Sequence, residues 1–383
     1  VNRATLLIVG AGPVGLALGC ACEGFDVEIV DAAPQPQAPS DAFDLRVFAL
    51  SPGTRSLLRE IGAWEAMDRA RISPIRRMAV YGDAGSSLEF APPPGESLAW
   101  IVEGDRLRAG LEAAIASRPW IRARHAARVE ALAASAGGAS AVLAGGEALA
   151  ADLLVGADGP DSRVRTDFDI PFEEEAYGES AVVAHFDVER PHGGTARQWF
   201  RADGVLAWLP LPGNRISIVW SARQAMAEEL CALPSVELER RVRDAGGDML
   251  GEMRLASKVA RFALRVVRVA DPVRPGVALV GDAAHTVHPL AGQGVNLGFQ
   301  DVRALAQTLE ERSPLERPGD LSVLRRYARA RREDIAAMQF VTHGLDQLFA
   351  ARGPAIAALR NFGLKIVDRQ PWIKRALAAQ AMR

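Results

Sequence analysis

The sequence predicts an α/β composite, in which a parallel sheet carries an inserted antiparallel sheet and the chain closes with C-terminal helices. Three glycine-centred segments lie far apart in a fixed order: Gly10-Ala11-Gly12-Pro13-Val14-Gly15, Gly156-Ala157-Asp158-Gly159 and Gly281-Asp282-Ala283-Ala284-His285. A short apolar run precedes each and reads as a buried strand, and the first and last segments read as opening a helix. Between about residues 179 and 270 the texture changes to period-two alternation, the mark of a separate antiparallel sheet.

Each element follows from local pattern. Residues 5 to 31 read as strand, glycine turn, helix and strand, half of a Rossmann-like mononucleotide-binding fold. Pro34, Pro36 and Pro39 then impose a loop. A helix is expected over 52 to 67, with Ser51 as N-cap, Pro52 at its first position and Leu57, Leu58 and Ile61 on one face. Residues 75 to 101 suggest a hairpin-like excursion, and 105 to 117 return to helix. From 126 to 155, turns at Gly137-Gly138 and Gly145-Gly146 suggest a small antiparallel meander. Four strands are expected at 182–188, 197–200, 205–211 and 215–221, a buried strand at 277–280, a helix at 295–310, and two more helices at 321–349 and 354–381. The nucleotide-binding domain is thus expected in three parts, 1–74, 100–175 and 271–320. They are interrupted by the 75–99 excursion and a 176–270 substrate domain and followed by helices over 321–383.

Composition narrows the function. The 383 residues are 49% hydrophobic and 24% charged, ordinary globular material, and a net charge of −2 offers no basic field for nucleic acid. No run is long and apolar enough to span a bilayer, and Val1-Asn2-Arg3 leads straight into a strand, so the expectation is a cytoplasmic protein. Cys20, Cys22 and Cys231 are too few for a disulfide framework and supply no metal site; they read as reduced packing residues.

The glycines imply a bound dinucleotide. A diphosphate needs close backbone approach and partial positive charge, which a glycine turn at a helix N-terminus supplies. Gly10 permits the tight turn, Gly12 admits the phosphates and Gly15 lets helix and strand pack, with Pro13 between them. Asp31, about 20 residues on, is placed to accept ribose hydroxyls. The late segment separates FAD from NAD. Asp282 between strand and helix suits a polyol such as the ribityl chain. Backbone N–H groups of Gly294, Val295 and Asn296 at a second helix start suit a ring carbonyl that gains negative charge. A reduced flavin has that requirement and a nicotinamide does not.

These segments, together with Pro289 and Gly292-x-Gly294-x-Asn296, resemble the FAD-dependent aromatic hydroxylases typified by para-hydroxybenzoate hydroxylase. Within that class, Ala49-Leu50-Ser51, Trp100-Ile101-Val102-Glu103, Leu206-Ala207-Trp208-Leu209-Pro210-Leu211, Ile218-Val219-Trp220-Ser221 and Leu359-Arg360-Asn361-Phe362-Gly363-Leu364 resemble the ubiquinone-biosynthesis hydroxylases of the UbiH, UbiF and VisC type. The resemblance spans nearly the whole chain. It implies that Arg46 approaches the flavin, that Asp158 belongs to a motif shared between FAD and NAD(P)H, that Gly281 and Asp282 hold the ribityl chain, and that Pro289 packs near the reactive carbon. Gly104 departs from the pattern, since asparagine often follows the glutamate in the subfamily; Arg106 is the alternative that reaches inward.

The resemblance further implies the reaction: NAD(P)H, a transient co-substrate, reduces FAD, molecular oxygen adds to it, and the resulting hydroperoxide hydroxylates a hydrophobic, prenylated phenol. Gln198, Phe200, Trp208, Pro210 and Trp220 are the candidate walls of the substrate pocket, each aromatic also readable as plain sheet core, and His185 is a candidate base. His285 and His288 read first as structural histidines beside the cofactor loop. The basic amphipathic segment 355–382 reads either as packed on its own body or as a peripheral contact with a membrane or a biosynthetic partner. Two rival readings share the first motif: a flavin-dependent reductase of isoprenoid double bonds and a non-catalytic flavoprotein scaffold.

Overall fold

Six strands form the central sheet of the computed structural model, which describes residues 3–82, 87–135, 137–201, 203–287 and 294–350, the last ten as main chain only. Their spatial order is Val273–Arg274, Val277–Leu279, Leu153–Gly156, Ala4–Val9, Phe25–Val30 and Ile121–Arg124. All neighbours run parallel except the first pair. Val9 stands opposite Gly156, and Gly156 opposite Leu279, so the strands that lead into the three glycine segments are adjacent and finish at one edge.

Side-chain alternation gives each strand two buried faces. Leu6, Ile8, Leu153 and Val155 pack beneath the helices Pro13–Ala21, Gly104–Ala116 and Gly294–Glu310. Leu7 and Leu154 pack on Ala139, Ala141 and Leu143 of a three-stranded meander, Val129–Ser135, Gly138–Leu143 and Ala148–Ala151.

The eight-stranded sheet is the second layer. Along its path come Met253–Leu255, Glu173–Val188, Arg215–Arg223, Gly204–Leu211, Thr195–Arg201, Arg77–Tyr81 and Ser87–Phe90, with Ala260–Arg268 pairing on Glu173–Val188. The early excursion therefore supplies its last two strands. One face of this sheet packs Val182, Phe186, Leu206, Trp208, Ile218 and Trp220 against the helices Gln224–Ala232 and Ser235–Ala245. The opposite face meets the nucleotide-binding layer, where Ala196, Leu209 and Leu211 cluster with Ile75, Ile101, Phe43 and Val47.

The structure differs from the sequence reading in several elements, among them these. The helix expected over 52–67 is two, Pro52–Glu60 and Ala63–Ala66, because Gly62 takes a left-handed φ of 73° between them. Leu153–Gly156 leaves the meander for the parallel sheet, and all four of its residues are buried, as a strand covered on both faces requires. The third glycine segment opens a single 3-10 turn, Gly281–Ala283, while the helix itself starts at Gly294. The helix Leu321–Ala350 closes the described chain, and the one expected at 354–381 lies outside the described residues.

Glycine is obligatory where helix and strand meet. A Cβ on Gly15 would lie 2.0 Å from the Gly10 carbonyl oxygen, and one on Gly10, at φ +111°, would lie 2.3 Å from that of Ala157. Both obstacles are main chain and cannot swing aside. Gly15→Ala is expected to cost about 1–3 kcal/mol or more by overpacking, read as a lowered denaturation midpoint together with weakened FAD uptake.

Candidate functional site

The first motif leaves a bare helix start. Gly12 is the N-cap of Pro13–Ala21, no side chain caps it, and Pro13 occupies the first turn. Among the described residues, a Cβ on Gly12 would meet nothing within 4 Å, so space is left in front of the helix N-terminus. Asp31 lies beside it. Its carboxylate accepts hydrogen bonds from Ala11 N at 2.6 Å and Ala33 N at 2.7 Å, which fixes the acid against the glycine loop. A diphosphate fits this cradle, and the ribose hydroxyls fit the acid.

At the second motif both oxygens of Asp158 are already engaged. Ser162 Oγ donates to one at 2.6 Å and Val164 N to the other at 3.1 Å, so Asp158 shapes the start of the short helix Arg163–Asp167. Burial pushes its carboxyl above the ordinary range, against these hydrogen bonds. The buried Arg165 then joins this motif to the third, donating to Pro160 O at 2.7 Å and to Ala283 O at 2.9 Å. Its position seven residues after Asp158 is the sequence signal that could have marked Arg165.

At the third motif, Gly281 holds a φ of +60° and its carbonyl accepts from Ala284 N and His285 N, a tight turn with Asp282 at its crest. Solvent reaches the Asp282 side chain, yet the protein around it desolvates the carboxylate and pushes its pKa upward, opposed by His285 and by Arg46. Arg46 is exposed on the loop before Val47–Leu50, and its charge favours the ionised form of Asp282. Asn296 is spent on structure: its side-chain oxygen accepts from Ser51 N at 3.0 Å and Thr54 Oγ1 at 2.8 Å, and its nitrogen donates to Ala49 O at 2.8 Å. The main-chain N–H groups of Gly294, Val295 and Asn296 begin the helix Gly294–Glu310 and carry its positive end. Pro289, Gly292 and His288 lie outside the described residues.

The loop that carries Arg46 is held by buried charge. Glu103, fully buried, accepts from Arg71 Nε at 2.8 Å and Nη2 at 2.7 Å and from Asp44 N at 2.8 Å. Gly104 N donates to Arg46 O, and a Cβ on Gly104 would sit tightly against the Asp44 carboxylate, at 3.0 Å. Arg106 turns to the Ser40 carbonyl. His185 belongs to this knot and is no longer read as a base on the open cavity. It is fully buried, its Nε2 lies 2.9 Å from the Asp44 carbonyl and must donate to it, and burial pushes its pKa down, which keeps it neutral.

Strand parity revises the pocket walls. Trp208, Pro210 and Trp220 point to the face that packs on the two helices: Trp208 and Trp220 are in that core, and Pro210 pairs with Ile216 of the same core. Gln198 and Phe200 lie on the other face, with Ala207 opposite Gln198 and Val219 opposite Ala207. On that face Ala207, Leu209 and Val219 stay partly exposed in the middle of the sheet, while Val183, Val205, Ser217 and Ser221 around them are buried. An open apolar floor thus lies within the sheet, on the side that meets the nucleotide-binding layer.

A family model described as an FAD binding domain matches residues 3–341. The chain belongs to that family of FAD-dependent monooxygenases. This flavoprotein is 35% identical to a ubiquinone hydroxylase, UbiL, of Rhodospirillum rubrum, over 99% of this chain and 89% of the relative. It is 34% identical to 3-demethoxyubiquinol 3-hydroxylase of Escherichia coli, over 98% of each. Its fold matches PqsL, a probable FAD-dependent monooxygenase from Pseudomonas aeruginosa, at a TM-score of 0.79 and 23% identity, covering 95% of this chain and all of that one. FAD is thus the group that a chain of this family accepts, and the residues present at Gly12, Asp31 and Asp282 fit it.

Asp282→Ala is expected to lower flavin occupancy of the purified monooxygenase, measured from the visible absorbance per polypeptide; unchanged occupancy would remove Asp282 from the site.

Proposed function

We propose that this monooxygenase hydroxylates the aromatic ring of a prenylated phenol in ubiquinone biosynthesis. The observation that carries the reading is the uncharged floor of Ala207, Leu209 and Val219 on the sheet face toward the cofactor layer, in a chain about one-third identical to two named ubiquinone-pathway hydroxylases. A ring carrying a carboxylate would need a guanidinium on that floor; a lipid-like phenol needs only apolar surface and exclusion of water. The names of these relatives also favour hydroxylation over the reductase and scaffold readings.

When bound, FAD supplies the capacity to take two electrons from NAD(P)H and to activate oxygen. The chain supplies position. The helix starts at Gly12 and Gly294 direct partial positive charge at the diphosphate and at the ring. The Glu103–Arg71 pair sets the loop that presents Arg46. The sheet floor holds the phenol ring and keeps water from the reacting atoms. No helix among the described residues is long and apolar enough to cross a membrane; collection of the prenylated substrate from a lipid surface is the part this reading gives to segment 355–382.

Oxygen uptake and NAD(P)H oxidation by the FAD-loaded protein should rise on addition of a prenylated phenol, with a product one oxygen atom heavier by mass spectrometry. Nucleotide oxidation indifferent to every such phenol would count against the proposal. Ala207→Phe fills the floor and should lower kcat/KM for the phenol by about tenfold or more, with bound flavin unchanged.

A further inference from the structure

One buried carboxylate ties together the segments around the cofactor turn. Asp301, in the helix Gly294–Glu310, is completely buried. One of its oxygens accepts from Gly281 N at 2.9 Å and from His285 Nε2 at 2.6 Å. The other accepts from Arg331 Nε at 2.7 Å, on the helix Leu321–Ala350. Gly281 and His285 are the two ends of the turn whose crest is Asp282, so the carboxylate spans the base of that turn while Asp282 points away from it into solvent. The surroundings complete the anchor: Arg331 also pairs with Asp334 at 3.0 Å, and Tyr327 Oη donates to Leu279 O at 2.8 Å on the strand that enters the turn.

We infer that Asp301 is a positioning residue for the flavin site, acting through Gly281 and His285, and that Arg331 is the counter-ion that lets it do so. The inference rests on the family reading that this turn holds FAD. Asp282 and Asp301 are two carboxylates on opposite sides of one turn. Without Arg331 and His285 the buried acid would repel the crest acid that the cofactor needs. With them, it accepts three hydrogen bonds, and its carboxyl is held below the ordinary range even though burial alone would raise it. A side chain of equal volume that could not accept these bonds would fill the space and leave the turn free to pivot. His285 is thereby given a role in orientation: its ring fixes the distance between the turn and the helix that follows.

The test compares a histidine replacement that keeps the donor with one that removes it. The apoprotein of each variant is titrated with FAD, and its melting temperature and the absorption spectrum of the bound flavin are recorded. His285→Leu should raise the FAD dissociation constant by about tenfold or more, the loss expected for a charge-assisted hydrogen bond. His285→Gln, whose amide N–H can donate to the same carboxylate, should stay within about threefold of wild type at an equal apoprotein melting temperature. Arg331→Met against Arg331→Lys is the second pair, on a residue outside the turn, and should show the same order. If the Leu and Gln variants bind FAD equally well, or are weakened equally, the inference is overturned while the family reading stands. Wild-type protein that takes up no FAD overturns both.

Discussion

A diphosphate can be bound by main chain only where main chain is bare, and in this fold three neighbouring strands running the same way bring the bare places together. Ala4–Val9, Leu153–Gly156 and Val277–Leu279 are adjacent and parallel, so their ends share one edge although about 270 residues separate the first from the last. Parallel strands need crossover connections, and those connections are where the chain places its helices and its second sheet. Along that edge, in strand order, lie an acid fixed against the glycine loop, an uncapped helix start and a tight left-handed turn.

Around that edge, the positions of charged groups are set by a small number of buried ion pairs. Glu103 with Arg71 fixes the Arg46 loop, and Asp301 with Arg331 and His285 fixes the Asp282 turn. Such pairs add little net stability, because desolvation offsets their attraction, but loss of one partner costs about 3–5 kcal/mol by stranding the other. They are better understood as geometric devices. Each joins a loop or turn to a strand or helix that is itself packed in the core.

The antiparallel sheet shows how a correct element can carry a wrong assignment. All four of the expected strands are present, yet Trp208, Pro210 and Trp220 face the helices Gln224–Ala232 and Ser235–Ala245, and the residues beside them, Ala207, Leu209 and Val219, face the cleft. Alternation specifies two faces but does not say which one is covered by helix and which by cofactor layer. The tryptophans Trp199, Trp208 and Trp220 went to the face with helices to fill against, where Trp208 reaches as far as Gly246. Small residues were left where space is needed. His185 is the same lesson on the neighbouring strand: its register opposite Ser217 places it toward the nucleotide-binding layer, but the loop at Asp44 covers it.

The sequence by itself determined the glycine turns, the Pro52 helix start, the acid at Asp31 and the change of texture to an antiparallel sheet, because each is a local demand of backbone geometry or of period. Gly10 and Gly15 are legible since no other residue fits, and the family likeness is legible since those demands recur in order. Only the tertiary structure decided that Leu153–Gly156 joins the central sheet, that Asp158 is spent on a helix start, that Arg165 bridges two motifs, and that Asp301 meets His285 and Arg331. Except for the local contacts of Asp158, those join segments distant along the chain, and no local pattern records which buried charge will find which partner once the layers close.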